Sequence, residues 1–281
     1  MISSSYLLSW CTFIYLGASV LYIMHWLFRL KPVGFLGTVS TVIGVIVQTA
    51  GIGLRWIESY QLGYGHAPLS NLYESLVFFS WATALTYVFV EYKTKSRVIG
   101  AFAMPFAAIS MAYASFNPNV RDSIEPLIPA LQSNWLIAHV ITCFIGYAAF
   151  AVACGLGIMY LLKNMSPNKD SGLLGAFPSL KGIDELMHQT IIFGFLWLSV
   201  GIITGAVWAN QAWGTYWSWD PKETWSLITW FVYATALHAR FVRGWKGTKI
   251  AFISIIGFCS VIFTYFGVNF LLSGLHSYGS Q

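Results

Sequence analysis

The sequence predicts an all-α polytopic membrane protein, a helical bundle of about eight transmembrane helices with both termini outside. Three observations carry that prediction. Only 9% of the 281 residues are charged and 57% are hydrophobic, with a mean hydropathy of +0.66, too few charges to cover a soluble domain. Apolar stretches fill most of the chain at about the 20-residue length that takes a helix across a hydrocarbon core of roughly 30 Å. No stretch alternates in the manner of an outer-membrane barrel strand, so the spanning elements are helices.

The apolar windows fall near residues 6–28, 35–57, 71–90, 97–115, 134–162, 188–208, 224–242 and 250–272. The first follows Met1-Ile-Ser-Ser-Ser-Tyr, which lacks the basic start and small-residue cleavage site of a signal peptide, so it is expected to be a retained helix. The fourth is short and contains Pro105, which predicts a kink or a partly re-entrant segment. The fifth is long enough to tilt or project from the membrane. The seventh begins with Asp220-Pro221-Lys222-Glu223. Asp is a good N-cap, Pro suits the first helical position, and Glu three residues on completes a capping box.

Lys and Arg alternate between loops. Arg29, Lys31, Lys93, Lys95, Arg97, Lys163, Lys169, Lys181, Arg240, Arg243, Lys246 and Lys249 fall on one side, and only Arg55, Arg121 and Lys222 on the other. Twelve against three of the 15 basic residues places the first set in the cytoplasm. Both termini then lie outside, with loops at about 58–70, 116–133 and 209–223. The net charge of +5 is explained by this topology, and no nucleic-acid partner is expected. No linker or composition break divides residues 1–281, which read as a single integral membrane domain. The cysteines, Cys11, Cys143, Cys154 and Cys259, lie in apolar stretches with no CxxC pair and read as small core residues.

The outer loop at about 208–225 stands apart from this frame. It runs Trp208-Ala-Asn-Gln-Ala-Trp213-Gly-Thr-Tyr216-Trp217-Ser-Trp219-Asp220-Pro221-Lys222-Glu223-Thr-Trp225, and six of the chain's 13 tryptophans lie between 208 and 230. An interfacial aromatic belt spreads one or two Trp over each helix end, which does not explain such concentration. The loop reads instead as an apolar platform for a large planar ligand, with indole faces to stack and Nε1–H groups to donate. Gly214 lets the backbone turn. For Asp220, a capping role and a ligand contact both stand.

The histidines are His25, His66, His139, His188, His238 and His276. His139 lies five residues past Asn134, about 7–8 Å inside the outer end of the fifth helix, and His276 follows the outer end of the eighth. Both can reach the side of the aromatic loop, and imidazole is a common axial ligand of haem iron. His238, His25 and His188 lie near inner helix ends, where an ionisable residue is a functional candidate by default. His238 is the best of them for a second, inner haem position.

These residues carry a family resemblance. Trp213-Gly-Thr-Tyr-Trp217-Ser-Trp219-Asp220-Pro221-Lys222-Glu223-Thr-Trp225 resembles the WWD signature of haem-handling proteins, and is most similar to the CcsA (ResC) type of system II cytochrome c maturation. Pro68-Leu-Ser-Asn71-Leu-Tyr73-Glu74-Ser75, Leu237-His238-Ala-Arg240, Phe266-Gly267-Val268-Asn269 and Leu275-His276-Ser-Tyr278 support it. The resemblance spans most of the chain from about residue 66.

It implies two external haem-ligating histidines flanking the loop, which His139 and His276 fit, and a membrane histidine after the loop helix, which His238 fits. Trp213, Trp217, Trp219, Asp220 and Trp225 would complete the external site. It further implies haem b in transit, a CcsB-like membrane subunit supplying a second inner ligand, an apocytochrome c and a thiol-reducing system, in a bacterial inner membrane or a thylakoid. His25 is a conjectural internal substitute for the partner's ligand. Near His66 a quinone, a haem propionate or a partner could make contact.

The expected function is haem presentation for covalent attachment to an apocytochrome CxxCH segment, as the haem-binding component of a holocytochrome c synthase. One alternative is a haem exporter or chaperone of the CcmC kind without ligation activity. Another is a b-type electron-transfer subunit, disfavoured because no helix pairs two histidines near its two ends.

Overall fold

The computed structural model describes residues 3–167, 171–272 and 274, and among them every regular element is helical. Helices α1 (Ser4–Phe28), α2 (Lys31–Gln61), α3 (Leu72–Thr94), α4 (Gly100–Phe116), α5 (Asn134–Met165), α6 (Leu180–Trp213), α7 (Pro221–Arg243) and α8 (Thr248–Ile262) fall on the eight expected windows. A π-helical turn, Phe263–Gly267, carries α8 into the short α9, Val268–Leu271. Among the described residues seven spans are long and apolar enough to cross a membrane. Helix α7 has the length but carries Lys222, Glu223, His238, Arg240 and Arg243, which dilute its apolarity.

Local chemistry sets the boundaries. Ser3 accepts from the Tyr6 N–H to open α1, and Asn71 accepts from the Glu74 N–H to open α3. Helices α1 and α3 close on Arg29 and Lys95 in the left-handed region, and α7 closes on Gly244. Cations at these helix ends complement the macrodipole and coincide with the basic side read from the loops.

The short fourth span is neither broken nor re-entrant. A 3-10 turn, Arg97–Ile99, feeds directly into α4, and the two run 20 residues as one apolar span through Pro105. Helix α6 starts eight residues before its apolar window, at Leu180. The added turns carry Asp184 and Glu185, whose charge hides them from hydropathy. Asp184 is buried and takes two bonds of 2.9 Å from Arg240 of α7 and one of 2.7 Å from the Gly247 N–H. Three of the cysteines are buried as expected, but Cys259 is exposed, because it sits on the outward face of α8.

The chain divides into two units, residues 1–126 with 158–183 and residues 127–157 with 184–281. In the first, α1 and α2 run antiparallel with glycines of α2 facing large residues of α1 one heptad apart. A Cβ at Gly51 would meet Leu8 at 2.8 Å, one at Gly44 would strike Tyr15, and one at Gly37 would meet Tyr22 at 3.1 Å. Small residues let helix backbones approach closely where lipid removes the hydrophobic drive. A buried hydroxyl closes the contact, Tyr15 donating to Gln48 at 2.7 Å, and Tyr22 of α1 and Tyr87 of α3 both donate to Glu91 of α3, at 2.8 and 2.6 Å.

The second unit repeats the device between α5 and α6. Gly194 faces Phe150, Gly201 faces Cys143 and Gly205 faces His139. Phe150 also stacks flat on Tyr233 of α7, 3.5 Å between centroids. The last of these glycine contacts fixes where His139 sits.

Candidate functional site

The aromatic loop lies wholly in the second unit. Helix α6 ends at Trp213, Gly214 turns the chain at φ +79°, and α7 begins at Pro221. The expected capping box is present. Asp220 Oδ2 accepts from the Lys222 N–H at 3.1 Å, and Glu223 Oε2 accepts from the Asp220 N–H at 3.2 Å. Lys222 Nζ donates to Asn269 of α9 at 3.0 Å, tying the start of α7 to the far end of the α8–α9 rod.

Among the described contacts the loop's tryptophans meet different neighbours. Trp208 is buried on the last turns of α6, donates Nε1–H to the Ala130 carbonyl at 2.8 Å and meets Trp213 edge-on at 4.8 Å. Trp225, inside α7, packs on Phe263 at 4.1 Å. Trp217 and Trp219 form a perpendicular pair, 5.6 Å apart at 88°. Trp219 is 69% exposed and has a left-handed backbone, φ +61°. Rings on helical turns must follow the helix, whereas the loop is free to aim its own.

His139 belongs to the Trp208 end of this cluster. Its ring lies nearly parallel to Trp208, 5.9 Å away at 18°, and Nδ1 donates to the Gly201 carbonyl at 2.7 Å, with Cys143 Sγ 3.6 Å away. A backbone carbonyl accepting from Nδ1 fixes the ring's orientation, as second partners do for imidazoles that bind metals. Among the described residues no group of three or more His, Cys, Asp or Glu is arranged to hold a bare metal ion, and a macrocycle that supplies its own equatorial nitrogens asks only for axial ligands.

His276 lies outside the described residues. Gly274, two positions earlier, packs on the α7 cap: a Cβ there would strike the Asp220 carboxylate and meet Pro221 Cδ at 3.0 Å. His238 is exposed on α7. His188 is half-buried, edge-on to Phe241 at 5.4 Å. His25 caps the α1–α2 turn, with Nδ1 3.0 Å from the Leu30 carbonyl and its ring against Gly34.

His66 is buried in the first unit, with Nδ1 3.0 Å from the Ala67 carbonyl and Nε2 2.9 Å from the Glu125 carbonyl. Beside it Arg55, 2% exposed, donates Nε–H to Glu74 at 2.7 Å and its terminal nitrogens to the Asp122 and Ser123 carbonyls at 2.9 and 3.2 Å. Glu74 in turn accepts from the Ser70 N–H and hydroxyl, each at 2.8 Å. The Pro68–Ser75 stretch therefore contributes a latch between two loops.

Sequence reasoning missed this latch and the Trp208–Ala130 bond, since both join residues distant in the chain. It also missed the second task of Glu223, which accepts from the Ser218 N–H at 2.7 Å and from Ser218 Oγ at 3.2 Å. Ser218 lies upstream of any capping position.

The model of the cytochrome c assembly protein family matches residues 69–276, enclosing the loop and His139, His238 and His276. The chain belongs to that family. Among curated relatives, the cytochrome c biogenesis protein CcsA of Guillardia theta is 42% identical over 89% of this chain and 88% of its own length. The CcsA of Synechococcus sp. (strain CC9902) is 42% identical over 86% of this chain and 87% of its own. The solved cytochrome c haem lyase CcmF shares the fold, with a TM-score of 0.74 at 14% identity, over 98% of this chain and 48% of that protein. Membership of the assembly family thus covers the whole of the second unit's loop region, and the fold it shares with the lyase is about half of that larger chain.

Proposed function

We propose that this protein acts in cytochrome c biogenesis by presenting haem b at the aromatic loop for covalent attachment to an apocytochrome c. The observation that carries the reading is an exposed, backbone-locked indole in the same unit as a histidine whose Nδ1 is tied to a carbonyl. An iron-bearing planar macrocycle needs both an axial nitrogen and an apolar face. Family membership and the CcsA names of the relatives support it.

In this reading haem is the substrate, held between His139 and His276 on its two axial positions, with Trp213, Trp217, Trp219, Asp220 and Trp225 around it. The incoming CxxCH segment brings its own histidine, which displaces one axial ligand. Its two thiols add across the two vinyl groups, each S–H bond giving way to an S–C and a C–H bond. The protein's contribution is placement, which converts an encounter of separate molecules into reaction within one complex. A thiol-reducing system keeps the cysteines reduced.

His238, exposed on α7, is the candidate ligand of an inner haem position, completed by a CcsB-like membrane subunit. An exposed imidazole near an inner helix end can be shared with a neighbouring chain, which supports the partner as the source of the second inner ligand. The decisive experiment is co-expression with and without a CcsB-like subunit, scoring covalent haem on a CxxCH reporter and the haem spectrum of the purified protein. His139→Ala should abolish the bis-histidine spectrum and the reporter signal together. Retention of both would sink the external site, and normal external occupancy in His238→Ala would sink the inner one.

A further inference from the structure

We propose that Glu223 is the positioning residue for Trp219, fixing that indole in the left-handed backbone conformation from which it meets the ligand plane; the inference rests on the haem-presenting reading. One carboxylate oxygen, Oε2, accepts from the N–H groups of Ser218 at 2.7 Å and Asp220 at 3.2 Å, the residues on either side of Trp219. It also accepts from Ser218 Oγ at 3.2 Å. Thr224, the next residue, donates its hydroxyl to the Trp219 carbonyl at 3.2 Å. The Ser218 N–H, the Trp219 carbonyl and the Asp220 N–H are thus tied to the first turn of α7.

A bulky L residue avoids positive φ because its Cβ crowds the following carbonyl. Such strain persists only where the surroundings over-determine it, and it collects at binding sites. Capping explains the bond to Asp220 but not the bonds to Ser218, which reach past the cap. The clamp's product is a ring standing 69% exposed at 88° to Trp217. An aromatic held in one orientation before its ligand arrives loses little freedom on stacking. The ligand class it suits is a flat conjugated ring system that offers a face.

The test uses the full chain in detergent, haemin as the probe, and the variants E223A and E223Q alone and combined with W219G. In the Trp219 background E223A should weaken haemin affinity about tenfold, the scale of one aromatic contact, and E223Q should weaken it less because its amide oxygen still accepts. In the W219G background E223A should change haemin affinity less than twofold, while lowering the thermal midpoint as much as in the parent. Equal loss of affinity with and without Trp219 would reduce Glu223 to a cap and overturn the proposal. Independently of haem, fluorotryptophan at position 219 should give one sharp fluorine resonance that E223A shifts or splits; an unmoved resonance also overturns it. Absence of any Soret change with haemin in the parent chain would instead mark failure of the haem reading, leaving the fluorine result to decide the clamp.

Discussion

The Arg55–Glu74 cluster of the first unit and the aromatic loop of the second are both loop-borne and both carry charged and aromatic residues, yet they spend them differently. Around Arg55 the guanidinium is spent on protein partners: Glu74, the Asp122 and Ser123 carbonyls, and the Tyr73 ring 5.1 Å from it. In the aromatic loop the hydrogen bonds are used on the backbone, through Asp220, Glu223 and Thr224, and the rings of Tyr216 and Trp219 are turned outward, 61% and 69% exposed. Saturated polar groups make a latch. Bonded backbone under exposed rings leaves aromatic faces at the surface.

Three substitutions would break or sharpen that contrast. The largest effect should come from Arg55→Met, which strands the buried Glu74 carboxylate. Removing one partner of a buried ion pair costs about 3–5 kcal/mol, so folded yield and thermal midpoint in detergent should fall steeply. If they held, the latch would not be structural.

Next, Gly205→Ala places a Cβ 2.5 Å from His139 Nδ1 and should turn the imidazole off its Gly201 carbonyl. Disturbing the outer hydrogen bond of an iron-binding histidine lowers affinity on the order of 10–100-fold, readable as a weakened haemin Soret titration. Unchanged affinity would remove His139 from the site.

The smallest effect should be the opposite in sign. Trp219→Gly relieves a left-handed backbone and should raise stability by up to about 1 kcal/mol, while weakening haemin binding. A lower thermal midpoint would show that the indole supports the fold rather than the ligand.

Much of this was legible before any coordinates. The eight windows, the capping box of Asp220 and Glu223, the turn at Gly214 and the concentration of tryptophans all depend on residues near one another in the chain. Hydropathy, capping and turn chemistry are local, so local sequence reports them. Charge obscured the start of α6, because Asp184 and Glu185 lower hydropathy where a buried pairing with Arg240 restores it. The latch of the Pro68–Ser75 stretch was not legible, since its partners, Arg55 and the residues at 122–123, are distant in sequence.

The sequence by itself determined an all-helical membrane chain, the positions of its spans and the aromatic character of the loop between α6 and α7. Each follows from composition or from short-range spacing. Only the tertiary structure decided which rings are buried and which are presented, that His139 is aimed by the Gly201 carbonyl, and that Glu223 grips both neighbours of Trp219. Those are matters of direction. A sequence fixes which groups are available, but where a lone pair or an indole face points is set by backbone dihedrals and by neighbours that folding alone brings together.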